Sequence, residues 1–139
     1  MLCLCLGSIG ERWKPLPIAS YDFRAGMAGG VAAFLAALAI GIWAISELRR
    51  HRTPVEPGHT PLRLVTSGPF RFSRNPIYLA MLLVMAGFAV MTNSLWFVLA
   101  AVLLLLLLDR LVVRREEVVI ERAFGQEYGK YRLRVRRWI

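Results

Sequence analysis

Residues 77–113 read IYLAMLLVMAGFAVM, then TNS, then LWFVLAAVLLLLLLDRLVV. Two apolar runs, Ile77–Met91 and Leu95–Val113, flank the polar turn signal Thr92-Asn93-Ser94. Runs this long, without alternation and without an acid before Asp109, suit helices in hydrocarbon rather than strands. The short turn makes them a tight helical hairpin over 77–113. The second run is long enough for a ~30 Å hydrocarbon core, whereas the first, at ~1.5 Å per residue, reaches only about 23 Å.

The hairpin sets the reading of everything around it. A third apolar run, Gly26–Ile45, has about 20 residues, enough for one more span. Its small residues recur at helical spacing, Gly26 with Gly30, then Ala28, Ala32 and Ala36, with Ala33, Ala37 and Gly41 on a neighbouring face. Small residues four apart let helix backbones approach closely. The chain of 139 residues is 57% hydrophobic, has mean hydropathy +0.51 and carries net charge +9. Its arginines lie between the apolar blocks, because a charge at mid-membrane costs roughly 3 kcal/mol or more. That distribution argues against nucleic-acid binding and for contact with a lipid bilayer and its anionic headgroups.

These boundaries predict an all-α integral membrane bundle forming a single domain, 1–139, with about three complete spans. Residues 1–24 form a partial first span and a loop, 26–45 a span, and 47–75 a polar loop. The hairpin, 77–113, precedes a helix and tail, 114–139. Within 1–24, Met1–Leu6 is apolar but too short to span, and Gly7–Pro17 reads as loop. Cys3 and Cys5 fit neither a zinc site nor a redox pair and read as membrane-facing apolar residues. The hairpin turn has no basic residue, whereas Arg49, Arg50, Arg52, Arg63, Arg71 and Arg74 crowd one outer flank and the tail the other. By the positive-inside rule, 47–75 and the tail face the cytoplasm, with Arg12, Lys14 and Arg24 outside. In the tail, Ile120, Phe124, Tyr128 and Tyr131 form one stripe of an amphipathic helix.

Two segments at the hairpin's cytoplasmic end carry chemistry. In Leu64-Val65-Thr66-Ser67-Gly68-Pro69-Phe70-Arg71-Phe72-Ser73-Arg74-Asn75-Pro76-Ile77-Tyr78, Gly68-Pro69 makes a turn. Asn75 caps a helix whose first residue is Pro76. Arg71 and Arg74 beside that helix start can orient a carboxylate or an anionic substrate. In Arg114-Arg115-Glu116-Glu117, the adjacent acids point about 100° apart on a helix. One can meet an ammonium or a ribose hydroxyl while the other pairs with an arginine.

These segments, with Phe124-Gly125-Gln126-Glu127-Tyr128 and Arg134-Val135-Arg136-Arg137-Trp138, resemble the isoprenylcysteine carboxyl methyltransferase family. That family sits with the phospholipid methyltransferases in a wider membrane group, and the resemblance covers roughly 53–139. It implies a methyltransferase using S-adenosylmethionine in a cytosol-facing pocket, with a lipophilic or small-molecule acceptor. It implies cofactor contacts at Leu64, Val65, Phe70, Asn75, Pro76, Tyr78 and Glu116, with Glu117 completing the acidic pair. It implies a bacterial inner-membrane location and no metal. Two departures bear on the acceptor. Enzymes that methylate prenylcysteine carry His at the place of Asn75. An arginine they use near the substrate falls on Val112 by ungapped spacing, leaving Arg110 and Arg114 as candidates. Relatives also carry a complete N-terminal span of which Met1–Leu6 resembles a remnant. Amine-headgroup methylation is the alternative activity, and a non-catalytic membrane scaffold the alternative of another class. An oligomer is compatible with the sequence but not predicted by it. A small multidrug-type transporter is disfavoured, since no span carries an acid except Asp109 near an end.

Overall fold

A computed structural model describes residues 2–13, 16–20, 22–53 and 63–139. The elements are helices α1 (Leu2–Trp13), α2 (Phe23–Arg50), α3 (Pro76–Thr92), α4 (Leu95–Leu107) and α5 (Arg114–Arg134). A 3-10 turn occupies Gly68–Arg71, and a π-helical segment, Leu108–Val113, joins α4 to α5 without a break. Among the described residues there is no strand, only an isolated bridge between Pro17 and Ser94. Part of the expected loop over 47–75, residues 54–62, and Lys14 lie outside the described residues.

Two helices, Phe23–Arg50 and the continuous Leu95–Arg134, are long and apolar enough to cross a bilayer, while α3 has 17 residues. Only 17% and 22% of their apolar windows are buried within the protein. Leu35, Leu38 and Ile42 are each about 60% exposed, as lipid-facing side chains are and as core residues of a water-soluble protein are not. The chain is an all-helical membrane protein.

It forms two compact units, Met1–Leu38 with Ala80–Leu107, and Ala39–Leu79 with Leu108–Ile139. In the first, α1 packs along α4. The expected loop over Gly7–Pro17 is therefore a correction, because helix continues to Trp13. Cys3, Gly7 and Gly10 share one helical face, and a Cβ at Gly7 or Gly10 would lie 2.7 Å or 2.5 Å from the rings of Phe97 or Trp96. The glycines that suggest loop admit two aromatic rings instead. Cys3 likewise faces inward, buried with Met85, Ala89, Phe97 and Ala100, while Cys5 is exposed as expected.

The hairpin turn falls where the sequence places it. Asn93 adopts φ 50°, its side chain accepts from the Ile18 and Ala19 amides, and its Nδ2 donates to the Ala19 carbonyl at 2.7 Å. Ser94, fully buried, donates to the Glu11 carboxylate of α1. On α2 one small-residue stripe packs: Gly26, Gly30 and Ala37 are buried, whereas Ala28, Ala32 and Ala36 are exposed. A Cβ at Gly30 would sit 2.9 Å from the Gly87 carbonyl oxygen and overlap Met91. Backbone cannot yield as a side chain does, so Gly30→Ala is expected to cost about 1–3 kcal/mol. Ala28→Leu on the exposed face should stay within ~0.5 kcal/mol. Thermal unfolding of both variants in detergent measures the difference.

Candidate active site

The second unit holds the expected chemistry. The π segment ends at Val113, which is fully buried, and α5 opens with Arg114, Arg115, Glu116 and Glu117. The two acids part as their 100° separation requires. Glu117 is taken entirely by guanidinium groups. Its Oε1 lies 2.8 Å from Arg74 Nη1 and accepts from Arg137 Nε at 3.1 Å, and its Oε2 accepts from Arg137 Nη2 at 2.6 Å. Arg137 Nη1 donates to Asp109 Oδ1 at 3.0 Å, as does Trp138 Nε1 at 3.4 Å. Hydrogen bonding to Glu117, above all, raises the Arg137 pKa further, so the guanidinium stays charged.

Glu116 stands differently. Its Oε1 accepts from the Tyr78 hydroxyl at 2.7 Å, and among the described residues no cation is within ion-pair distance. Burial raises its pKa, and the Tyr78 hydrogen bond offsets only part of that rise.

The chain's end is laced onto the start of α3. Ser73 Oγ and Asn75 Nδ2 both donate to the Arg137 carbonyl, at 3.2 and 3.0 Å, and the Arg74 amide donates to the Arg136 carbonyl at 3.1 Å. Pro76 begins α3 as expected, and the Asn75 carbonyl accepts from the Leu79 amide at 3.0 Å. The Asn75 side chain donates its Nδ2 to the tail, and among the described residues its Oδ1 makes no capping bond to the first amides of α3. Arg74 Nη1 also donates to Tyr128 Oη at 2.9 Å, while Arg74 Nε is buried without an acceptor among the described residues. The Tyr131 hydroxyl donates to the Phe70 carbonyl at 2.7 Å. Of the predicted stripe, Tyr128 and Tyr131 are buried and Ile120 and Phe124 half-buried. The single amphipathic helix is corrected to two pieces meeting at Gly125, whose φ of 47° and ψ of −116° are not helical.

The structure thus brings together Arg74, Asn75, Tyr78, Glu116 and Glu117. Val65 and Pro76 are buried, Leu64 and Phe70 half-buried, and Arg71 is exposed and outside the ion-pair network. Arg110 is exposed, Val112 half-buried, and Arg114 lies 3.5 Å from Asp109 while mostly exposed. Sequence reasoning gave no role to Arg137, Asp109 or Ser73. The unassigned Arg137-Trp138 string was the available signal for the first two.

A second cluster was not anticipated. Ser67 Oγ donates to Glu47 Oε1 at 2.5 Å, and His51 Nε2 lies 3.2 Å from that hydroxyl and 3.5 Å from that carboxylate. This is no relay, because hydroxyl and carboxylate meet the same imidazole nitrogen. Gly68, at φ 59°, makes the cluster fit, since a Cβ would meet Glu47 Cδ and Trp43 Nε1 at 3.2 Å. Among the described residues no group of three His, Cys, Asp or Glu side chains could hold a metal ion.

A helical membrane protein with a charged, partly buried site where the last apolar helix turns polar is the class so defined. The chain belongs to the phospholipid methyltransferase family, which matches residues 25–127. It is also similar to an uncharacterized protein of Haemophilus influenzae (strain ATCC 51907 / DSM 11121 / KW20 / Rd), 30% identical over 63 residues, which are 45% of this chain and 100% of that relative. No solved structure matches. The family is one of methyltransferases, and the matched region includes Arg74, Tyr78 and both acids.

Removing Arg137 would take three hydrogen bonds from Glu117 and Asp109, leaving Arg74 and Arg114 as their cations, so Arg137→Ala is expected to cost about 2–3 kcal/mol. Arg132 pairs with Glu121 at 3.8 Å with both side chains more than half exposed, and Arg132→Ala should change stability little. Equal melting temperatures for the two variants would deny the network its structural role.

Proposed function

We propose that the protein is an S-adenosylmethionine-dependent membrane methyltransferase whose cofactor binds at Tyr78 and Glu116. Glu116 carries the reading: a half-buried carboxylate held by one hydroxyl and, among the described residues, by no cation, next to an acid that two arginines saturate. A carboxylate so placed offers a ribose hydroxyl or an ammonium a charge-assisted hydrogen bond. Leu64, Val65, Phe70, Asn75 and Pro76 line the same pocket in this reading, and Arg74 orients an anionic group. α2, α3 and α4 are the three spans, with α3 a short one. The arginine-rich ends of the spans face the cytoplasm, so the pocket opens there.

S-adenosylmethionine supplies an already activated methyl group, lost to an acceptor lone pair as the carbon–sulfur electrons return to sulfur. The protein's residues therefore orient and exclude water rather than activate. A carboxylate acceptor needs no general base, and an amine or thiol arrives deprotonated. The acceptor is lipophilic and reaches the pocket from the bilayer. An amine headgroup and a prenylcysteine carboxylate are the two candidate acceptors, and the departures at Asn75 and Val112 weigh against the second. Transfer of labelled methyl to phosphatidylethanolamine or to a prenyl-thiol acid separates these two.

Calorimetric titration of S-adenosylmethionine into detergent-purified protein tests the pocket. Glu116→Gln is expected to weaken binding at least tenfold, about 1.4 kcal/mol, with the melting temperature retained. Undiminished affinity would take Glu116 out of the site. The raised pKa adds a pH signature. Burial makes Glu116 lose its charge on acidification sooner than an ordinary glutamate, so affinity should fall as pH is lowered and Glu116→Gln should flatten that fall. Stability moves the other way. A carboxyl whose pKa is raised in the fold contributes most when protonated and loses that contribution as pH rises through the raised value.

A further inference from the structure

Beyond the acid pair, the second unit contains a cleft lined by Arg50, His51, Arg52 and Arg63. Two of these have an ordinary explanation and two do not. Cations in a helix's last turn are favoured by its dipole, which accounts for Arg50 and, beside it, His51. Arg52 lies beyond the helix in a costly conformation. α2 ends with the Arg52 amide bonded to the Arg49 carbonyl and the Thr53 amide to the Leu48 carbonyl, the closing pattern that places its penultimate residue in the left-handed region. Glycine is the usual occupant there, yet this chain has arginine at φ 54°. Arg63 comes from a separate stretch of chain, and the dipole does not reach it.

The cleft is also built. Thr53, buried, places its Oγ1 3.4 Å from both the His51 and the Arg63 carbonyls, holding the two walls together. Glu47 and Ser67 hold His51 by its Nε2. The charge is unbalanced. Glu47 lies 3.7 Å from Arg50 and 3.5 Å from His51, and among the described residues neither Arg52 nor Arg63 has a carboxylate within ion-pair distance. Among the described residues three guanidiniums and one acid surround the opening, and an entering anion relieves the repulsion between the guanidiniums. Guanidinium forks match phosphate oxygens two at a time.

We propose that the cleft of Arg50, His51, Arg52 and Arg63 is a binding site for a phosphoryl-type anion, from a lipid headgroup or a soluble phosphate. It shares no residue with the cofactor pocket and is measured without cofactor, so either reading can fail alone. The test titrates inorganic phosphate and, separately, water-soluble dihexanoyl phosphatidylglycerol into the full chain in a neutral detergent, followed by phosphorus NMR. Saturable binding is expected for at least one of them, weakened tenfold or more by R52Q/R63Q and unchanged by Arg132→Gln. Tighter binding of the lipid identifies a headgroup as the source, and tighter binding of phosphate a soluble ligand. Arg52→Gly separates a ligand role from a structural one. Relief of the left-handed backbone should keep or raise the melting temperature while anion binding falls. Absence of saturable binding, equal loss in Arg132→Gln, or undiminished binding in Arg52→Gly would overturn the proposal.

Discussion

Glu117 sits between two guanidinium groups that come from chain positions far apart, Arg74 before α3 and Arg137 near the end. Among the described residues its three hydrogen-bonding and ionic contacts are all with them, and its side chain is only 12% exposed. A pair so buried stabilises little relative to an apolar replacement, since desolvation offsets most of the attraction. What it does is specify. With Arg137 fixed on Glu117 and Asp109, the Arg137 carbonyl is presented to Ser73 and Asn75, and the Arg136 carbonyl to the Arg74 amide. The start of α3 therefore depends on a residue more than sixty positions downstream.

The same constraint defines its neighbour. Once Glu117 is directed at the arginines, helical geometry sends Glu116 about 100° round, to Tyr78. The π segment Leu108–Val113 immediately precedes the acids, and π segments within α-helices are frequent at functional sites.

Much of this was legible. The hairpin, its turn at Asn93, the start of α3 at Pro76 and the divergence of the two acids follow from apolar run length, turn chemistry and helical angle. The parts that escaped share one physical cause, long-range partners. Gly7 and Gly10 read as loop because their value lies in the rings of Phe97 and Trp96, some ninety residues away. Asn75 reads as a cap because local chemistry favours it, yet the bond its side chain makes is from Nδ2 to a tail carbonyl sixty-two positions away. Gly125 breaks an otherwise regular stripe, and periodicity counts spacing rather than backbone angle. Glu47 and Ser67 sit twenty positions apart, only Ser67 within a motif, and their pairing depends on Gly68 admitting the carboxylate.

The resemblance motif and the geometry then bear on each other. Of the positions it marks as cofactor contacts, several are committed to the scaffold: Asn75 through its amide, Phe70 through its carbonyl to Tyr131, Pro76 by full burial. Among the described residues the side chains of Tyr78 and Glu116 have polar partners only in each other. A match to the motif therefore testifies first to the architecture that gathers residues 64–78, the acids and the tail. Testimony about the ligand rests on the smaller set, and within it on the one carboxylate that the arginines leave unclaimed.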